Sequence, residues 1–151
     1  MAESASPNGL PAFQMEKDEL DGLLERYREL LGFVPPRIAA RTDMGARIDP
    51  ELLRLQEALR MRAMYPACFD VKTAQMMLFA ILLALMSDAA RLHAIAARRA
   101  GATWEELHAV ANLVFLFRGL SAANIGAEIL QGLVKEEAEG AAWSRQPAGS
   151  S

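Results

Sequence analysis

The sequence contains little of what several common classes of protein require. Its 151 residues include one cysteine, Cys68, and two histidines, His93 and His108. One thiol cannot form an internal disulfide, and one cysteine with two well-separated histidines does not form a metal-ligand cluster. We therefore expect no bound metal and no other cofactor. The cysteine content is typical of a cytoplasmic protein.

Neither the charge nor the hydropathy pattern indicates a nucleic-acid or membrane partner. The formal net charge is -3 and the isoelectric point is about 5.4, so we expect no nucleic-acid binding, which calls for a basic surface. The most apolar run, 74–86, is shorter than the roughly 20 residues that cross a bilayer. We interpret it as a buried helix, and the first fifteen residues lack the pattern of a signal peptide. The predicted location is the cytoplasm.

The residues that are abundant favour one helical domain. Aromatic residues make up only 7% of the chain, whereas 52% is hydrophobic, so Leu, Ala, Ile, Val and eight Met must fill the core. These residues are compatible with helices, and the length suits a single domain. We predict a disordered leader over 1–15, a domain over 16–138 and a disordered tail over 139–151.

Apolar periodicity and capping signals predict about six helices and no strand. Prolines at positions 35 and 36 indicate a connector after the first helix, and Asp70 and Thr103 are typical N-caps. We also predict that Ser87 or Asp88 caps a helix after a break near Met86. The expected helices begin near residues 17, 50, 71, 88, 103 and 121.

Residues 69–129 resemble the carboxymuconolactone decarboxylase and AhpD-like family. The resemblance lies in a capped apolar helix followed by a histidine, a glycine turn and a closing G-x-x-A-A-N. In this sequence those features are DVKTAQMMLFAILLAL, then His93 in RLHAIAARRAGAT, then GLSAAN ending at Asn124. The resemblance implies an AhpD-like helical bundle that assembles as a trimer or hexamer.

The redox motif of the family's peroxidase branch is missing. That branch carries a C-x-x-C pair seven and four positions before the histidine and a glutamate in the preceding helix. The corresponding positions here hold Met86 and Ala89, and the glutamate position is Ala74 or its neighbour Gln75. Because disulfide exchange needs two thiols, we predict that the protein is not a peroxidase.

The decarboxylase branch offers a closer, though incomplete, match. It has no cysteine pair, but it carries acidic residues, a histidine and a second histidine just after A-A-N. This chain has Asp88 and His93, and Ile125 occupies the place of the second histidine. The lost histidine suggests a substrate other than the family's namesake lactone.

His93 is the predicted catalytic residue because imidazole can donate or accept a proton near neutral pH. We predict that Arg118, Asn124, Met86 and Ala89 contribute to substrate binding. Competing interpretations are that His93 is a structural histidine and that Arg118 neutralises a helix C-terminus. Glu57, Glu128 and Asn124 remain alternative partners for His93.

The sequence therefore predicts a cofactor-independent acid-base enzyme, a decarboxylase-like lyase or isomerase. Its substrate would be a small carboxylated or lactone-type molecule. The alternative is a non-catalytic homo-oligomer that binds a ligand or a partner protein on the same scaffold. An open pocket around His93 would favour the first function, and a closed one the second.

Overall fold

A computed structural model describes residues 7–144. The predicted all-α class is confirmed, because the described residues contain helices and no strand. A short 3-10 helix, Ala142–Ser144, follows the last α-helix. The α-helices are α1 (Lys17–Leu31), α2 (Pro36–Ile48), α3 (Pro50–Met64), α4 (Val71–Ala84), α5 (Ala90–Arg99), α6 (Trp104–Arg118) and α7 (Leu120–Ala138).

The described chain forms two compact units. The first comprises residues 7–29 and 33–64, and the second comprises residues 30–32 and 65–144. In the first unit, Met15, Ala46 and Leu53 form a buried cluster. The predicted bounds of a single domain, 16–138, stay a prediction.

Helix α2 is the one helix that the sequence pattern did not predict. Pro35 is its N-cap and Pro36 is its first residue, where the missing proline N–H removes no helical hydrogen bond. The proline pair therefore ends one segment and begins the next helix. This arrangement explains why the described chain has seven helices where the sequence predicts about six.

A tight turn separates α4 from α5, as predicted near Met86. Met86 has φ of 57°, the only positive value at a described residue other than glycine. The backbone N–H groups of Met86 and Ser87 donate to the carbonyls of Leu83 and Leu82, at 3.0 and 2.9 Å. These two bonds form a Schellman motif, which satisfies carbonyl groups at the end of α4.

The predicted helix caps are partly right. Asp70 accepts a hydrogen bond from Thr73 at the start of α4, and Thr103 and Glu106 form the predicted capping box. Neither Ser87 nor Asp88 is the N-cap residue of α5, and Ser121, near which the last helix was expected to begin, lies inside α7. The Ser87 hydroxyl accepts a hydrogen bond from the Ala89 N–H at 3.3 Å in the turn before α5. Helices α5 and α7 begin after Ala89 and Gly119, neither of which provides a side-chain cap.

In the second unit, α4 packs against α5, α6 and α7. Phe79 and Leu83 are completely buried. Gly126 of α7 lies so close to α4 and α6 that an added Cβ would be 3.0 Å from Leu83 Cδ2 and 3.1 Å from Ala111 Cβ. The small residues of α7 therefore permit close helix packing within this unit.

The helix that was expected to be buried over 74–86 is buried on one face only. Positions 77 and 81 of α4 and the C-cap residue Leu85 are exposed, and Leu85 retains 68% of its accessible surface. Because these positions follow a spacing of four, they form one apolar stripe on the helix. The high hydrophobicity of α4 therefore reflects both a core face and an exposed face.

Two buried residues lie in the segments that were expected to be disordered. Met15 packs with Ala46 in the first unit, and the Met15 backbone N–H donates to the Ala46 carbonyl. Trp143 is buried, and its indole Nε1 donates to Glu136 at 2.9 Å. The rest of the expected leader and tail, 1–6 and 145–151, lies outside the described residues.

Between residues 7 and 144, no helix has both the length and the apolar character needed to cross a membrane.

Candidate functional site

The candidate site is built around His93, on the second turn of α5. Its Nδ1 atom lies 2.7 Å from Oε1 of Gln75, which is on α4. Helices α4 and α5 are joined by the tight turn at Met86, so they pack side by side and bring the two residues together. His93 is half-buried.

Gln75 differs from His93 in both burial and bonding. Its side chain has no accessible surface, and its Nε2 atom has no hydrogen-bond partner among the described residues. With the amide oxygen facing the ring, Nδ1 of His93 is the donor and carries a hydrogen. Nε2 of a neutral imidazole is then an acceptor, the state required of a general base.

Met86 and Ala89 both lie at the N-terminal approach to α5. Ala89 is the N-cap residue of α5 and precedes His93 by four positions, and Met86 occupies the left-handed position of the turn. Both residues are half-buried. Their predicted contacts with a substrate stay predictions.

Arg118 has a structural contact that the sequence did not predict. Its Nε donates to the carbonyl oxygen of Ala84, the last residue of α4, at 2.8 Å. Arg118 is also the last residue of α6, so a single guanidinium lies at the C-terminal ends of two helices. A cation at this location is stabilised by both helix dipoles. Its predicted contact with a substrate stays a prediction.

Glu57, Asn124 and Glu128 were the alternative partners that the sequence offered for His93. Glu57 is buried in the first unit, where it binds Tyr27, Arg41 and Arg60. Asn124 and Glu128 are exposed residues of α7. The acceptor at Nδ1 of His93 is the neutral amide of Gln75, a residue that the sequence identified only as a neighbour of the family's glutamate position.

A separate polar cavity of about 170 Å³ lies in the second unit. Arg98 makes a two-point contact with Glu137, with distances of 2.9 and 2.8 Å. Arg99 donates to the carbonyl oxygens of Leu30 and Trp143. The cavity is lined by Arg98, Arg99, Gly101, Glu137, Trp143 and Ser144, and this set does not include His93.

No group of three or more potential metal ligands from His, Cys, Asp and Glu occurs within residues 7–144. Cys68 is exposed. His108 is exposed on α6, where its backbone carbonyl accepts a hydrogen bond from Asn112 at 2.9 Å. The described chain thus brings His93 together with a neutral polar partner and offers no cluster for a metal ion.

The family profile of carboxymuconolactone decarboxylase matches residues 50–132, a range that contains both His93 and Gln75. This range is more than half of the chain. The protein belongs to the carboxymuconolactone decarboxylase family. The resemblance stated from the sequence is thereby confirmed. No significant match was found among curated proteins or among solved structures.

Two residues lie at or beside the family's glutamate position in the sequence, Ala74 and Gln75. Of these two, Gln75 makes the hydrogen bond to His93. Gln75 and His93 are 18 residues apart in the sequence. This spacing alone did not predict their contact, because the turn at Met86 determines how α4 and α5 align.

Proposed function

We propose that this protein is a cofactor-independent acid-base enzyme, a decarboxylase-like lyase or isomerase. Its substrate is a small carboxylated or lactone-type molecule. The observation that carries this proposal is the hydrogen bond between His93 Nδ1 and Gln75 Oε1, which orients a half-buried imidazole. General acid-base catalysis by a positioned side chain contributes about 10²–10⁴ to a rate.

The proposed chemistry requires proton transfer at carbon, once in the lyase reaction and twice in the isomerase reaction. In the lyase reaction, the bond to the carboxylate breaks, carbon dioxide leaves and the electron pair moves into a conjugated carbonyl as an enolate. Nε2–H of the His93 imidazolium then protonates the carbon, and the carbonyl forms again. In the isomerase reaction, neutral Nε2 first removes a proton and then returns it to another carbon of the same substrate.

The other predicted residues have supporting roles in this proposal. Arg118 would bind a substrate carboxylate or enolate oxygen, since a guanidinium stabilises developing negative charge. Asn124 would donate a hydrogen bond to a carbonyl. Met86 and Ala89 would contact the apolar part of the substrate, where an adaptable thioether suits a small organic ligand.

Proton exchange into a candidate substrate tests this function. The protein is incubated in deuterated water with a panel of small lactones and unsaturated keto acids, and deuterium at carbon is followed by proton NMR. We expect exchange into a subset of the panel, with loss of at least 100-fold in His93→Gln. His108→Gln is the matched control, because His108 is exposed on α6. Equal exchange in wild type and His93→Gln would refute the proposed role.

A non-catalytic assembly is the second candidate function, and an exposed apolar surface favours it. On α6, positions 113, 116 and 117 form a stripe in which Phe117 retains 95% of its accessible surface, and Leu120 at the start of α7 is also exposed. Helix α6 packs on α4, and the Arg118 contact with Ala84 places the C-terminal ends of both helices together. Exposed patches of this kind are typical of protein interfaces.

In this second candidate, the surface joins copies of the chain into a trimer or hexamer that binds a ligand or a partner without turnover. We propose a cytoplasmic location for the protein under either function. The two functions are separated by the exchange experiment. Exchange that depends on His93 supports the enzyme, whereas saturable binding of a panel molecule without any exchange supports the binding protein.

A further inference from the structure

We infer that Gln75 is a positioning residue for His93, which holds the imidazole in its Nδ1–H form and thereby makes Nε2 the atom that transfers protons. This inference rests on the proposed function and deepens it. It concerns a residue that acts through His93 and does not itself touch the substrate. The supporting observations are one hydrogen bond, the burial of Gln75 and its unsatisfied amide group.

The hydrogen bond defines the geometry. Oε1 of Gln75 lies 2.7 Å from Nδ1 of His93, a short distance for a bond between nitrogen and oxygen. A carbonyl oxygen can only accept, so the bond requires a hydrogen on Nδ1. The same bond persists when the ring gains or loses a proton at Nε2. Gln75 is therefore compatible with His93 as a base and as an acid.

The bonding of Gln75 is poorly explained by a purely structural role. A buried amide normally satisfies both its oxygen and its nitrogen. Here the side chain is completely buried, yet Nε2 has no partner among the described residues. A buried donor without a partner lowers the stability of the folded state. An apolar side chain of similar size at position 75 would therefore stabilise the core at least as well as glutamine does. The contact with His93 is the feature that such a replacement would lose.

The amide also differs from a carboxylate in its effect on the ring. A carboxylate at this position would favour the imidazolium, because opposite charges in contact stabilise each other. A neutral amide fixes the tautomer without adding that charge. Gln75 thus allows Nε2 to act as an acceptor at a pH where a carboxylate would keep more of the ring protonated.

Nitrogen NMR of the imidazole rings tests the inference without any substrate. The protein carries His108→Gln, so that ¹⁵N-labelled His93 is the one histidine observed. In the protein with native Gln75 we expect Nδ1 to show the shift of a protonated nitrogen and Nε2 that of an unprotonated one. A ring with the hydrogen on Nε2 would overturn the inference, and this arm needs no variant of Gln75.

Two substitutions extend the test. Gln75→Glu retains an acceptor at Oε1, so we expect the Nδ1–H form to persist and the midpoint of the His93 titration to rise by about 1–2 pH units. Gln75→Met removes the acceptor, so we expect a substantial fraction of the Nε2–H form. Gln131→Met is the matched control, because Gln131 is exposed on α7 and its substitution should leave the His93 tautomer unchanged. An unchanged tautomer in Gln75→Met would contradict positioning by Gln75.

A kinetic readout separates this inference from the proposed function. If deuterium exchange occurs, the pH profile of the exchange rate should move upward in Gln75→Glu by the same amount as the titration midpoint. If no panel molecule exchanges but the tautomer depends on Gln75, the proposed function fails and the positioning stands. If exchange depends on His93 but neither the tautomer nor the pH profile responds to Gln75, the positioning fails and the function stands.

Discussion

The hydroxyl of Tyr27 lies 2.7 Å from Oε1 of Glu57, and this hydrogen bond joins α1 to α3 in the first unit. Arg41 of α2 donates to both groups, and Arg60 donates to Oε2 of the same carboxylate at 3.2 Å. The Arg60 guanidinium also lies 4.0 Å from the centre of the Tyr27 ring. Since Glu57 is buried, its charge is compensated by partners from three helices, as a buried ion requires.

Tyr27 should resist deprotonation. Its burial and its hydrogen bond to Glu57 raise the pKa of the phenol to about 12. A raised pKa means that the stabilisation is complete below the unfolded-state value of about 10 and is lost as the pH rises through the folded-state value. In a Tyr65→Phe protein, Tyr27 is the one remaining tyrosine. The ultraviolet absorbance of tyrosinate should therefore rise in a single step, at a pH above the ordinary tyrosine pKa. A transition at the ordinary tyrosine value would show that the hydrogen bond is absent.

Glu57 should contribute stability that is lost in acid. Burial raises its pKa, but hydrogen bonds from Arg41 and Tyr27 outweigh burial, so that the pKa of Glu57 is lowered. A lowered pKa means that the stabilisation is present above the unfolded-state value of about 4.3 and is lost as the pH falls through the folded-state value. Glu57→Gln should lower the free energy of unfolding at pH 7 by roughly 1–3 kcal/mol.

The difference between wild type and Glu57→Gln should shrink as the pH falls, because a protonated carboxyl resembles an amide in charge. Urea unfolding at several pH values measures this difference. Glu51→Gln on the same helix is the control, since Glu51 is exposed and its substitution should change stability little. A difference that stays constant down to low pH would contradict an ionised Glu57 as the centre of the cluster.

The sequence predicted most helices because local signals determine them. Leucine spacing defined α1 and α3, and Asp70 and Thr103 marked the starts of α4 and α6. Helix α2 was not predicted because a proline pair both ends and begins helices, and the sequence alone did not separate these effects. Local capping and periodicity are thus sufficient for most of the fold.

The candidate site was only partly predictable because its contacts join separate helices. His93 was identified from the family pattern, and Gln75 appeared only beside the expected glutamate position. Their hydrogen bond depends on the turn at Met86, which aligns α4 with α5. The contact of Arg118 with Ala84 likewise depends on how α6 packs on α4. Tertiary alignment of this kind leaves no periodic signal in the sequence.

Close packing at Gly126 should make it sensitive to any larger residue. A Cβ would already lie 3.0 Å from Leu83 Cδ2, and the extra methyl groups of Gly126→Val should lower the free energy of unfolding by roughly 1–3 kcal/mol. Gly132→Val on the same helix is the matched control, because no atom lies within 4 Å of a Cβ there. Thermal unfolding measures both variants, and equal stabilities would contradict the close contact of α7 with α4.

The left-handed backbone at Met86 should store strain next to the candidate site. The equivalent turn after α5 has Gly101, with φ of 102°, and glycine adopts this region without a steric penalty. Met86→Gly should therefore raise the stability of the protein or leave it unchanged, since about 1 kcal/mol of strain offsets the lost side-chain contacts. A loss above about 2 kcal/mol in chemical denaturation would show that those contacts dominate.

Gly101→Ala provides the opposite change at an equivalent turn. No atom lies within 4 Å of a Cβ at Gly101, so the substitution reports on backbone conformation alone. We expect a loss of roughly 1–2 kcal/mol. An unaffected Gly101→Ala protein would remove the reason to assign strain to Met86.

The apolar stripe on α6 should mediate self-association. Burial of an exposed aromatic ring at the centre of an interface contributes strongly to binding, whereas a carboxylate there would be desolvated without a partner. Phe117→Glu should therefore reduce the molecular mass measured by light scattering, with unchanged helical circular dichroism. Leu55→Glu in the first unit is a matched control, because Leu55 is also exposed, at 62%. If wild type is a monomer at micromolar concentration, or if Phe117→Glu assembles as wild type does, the stripe is not the interface.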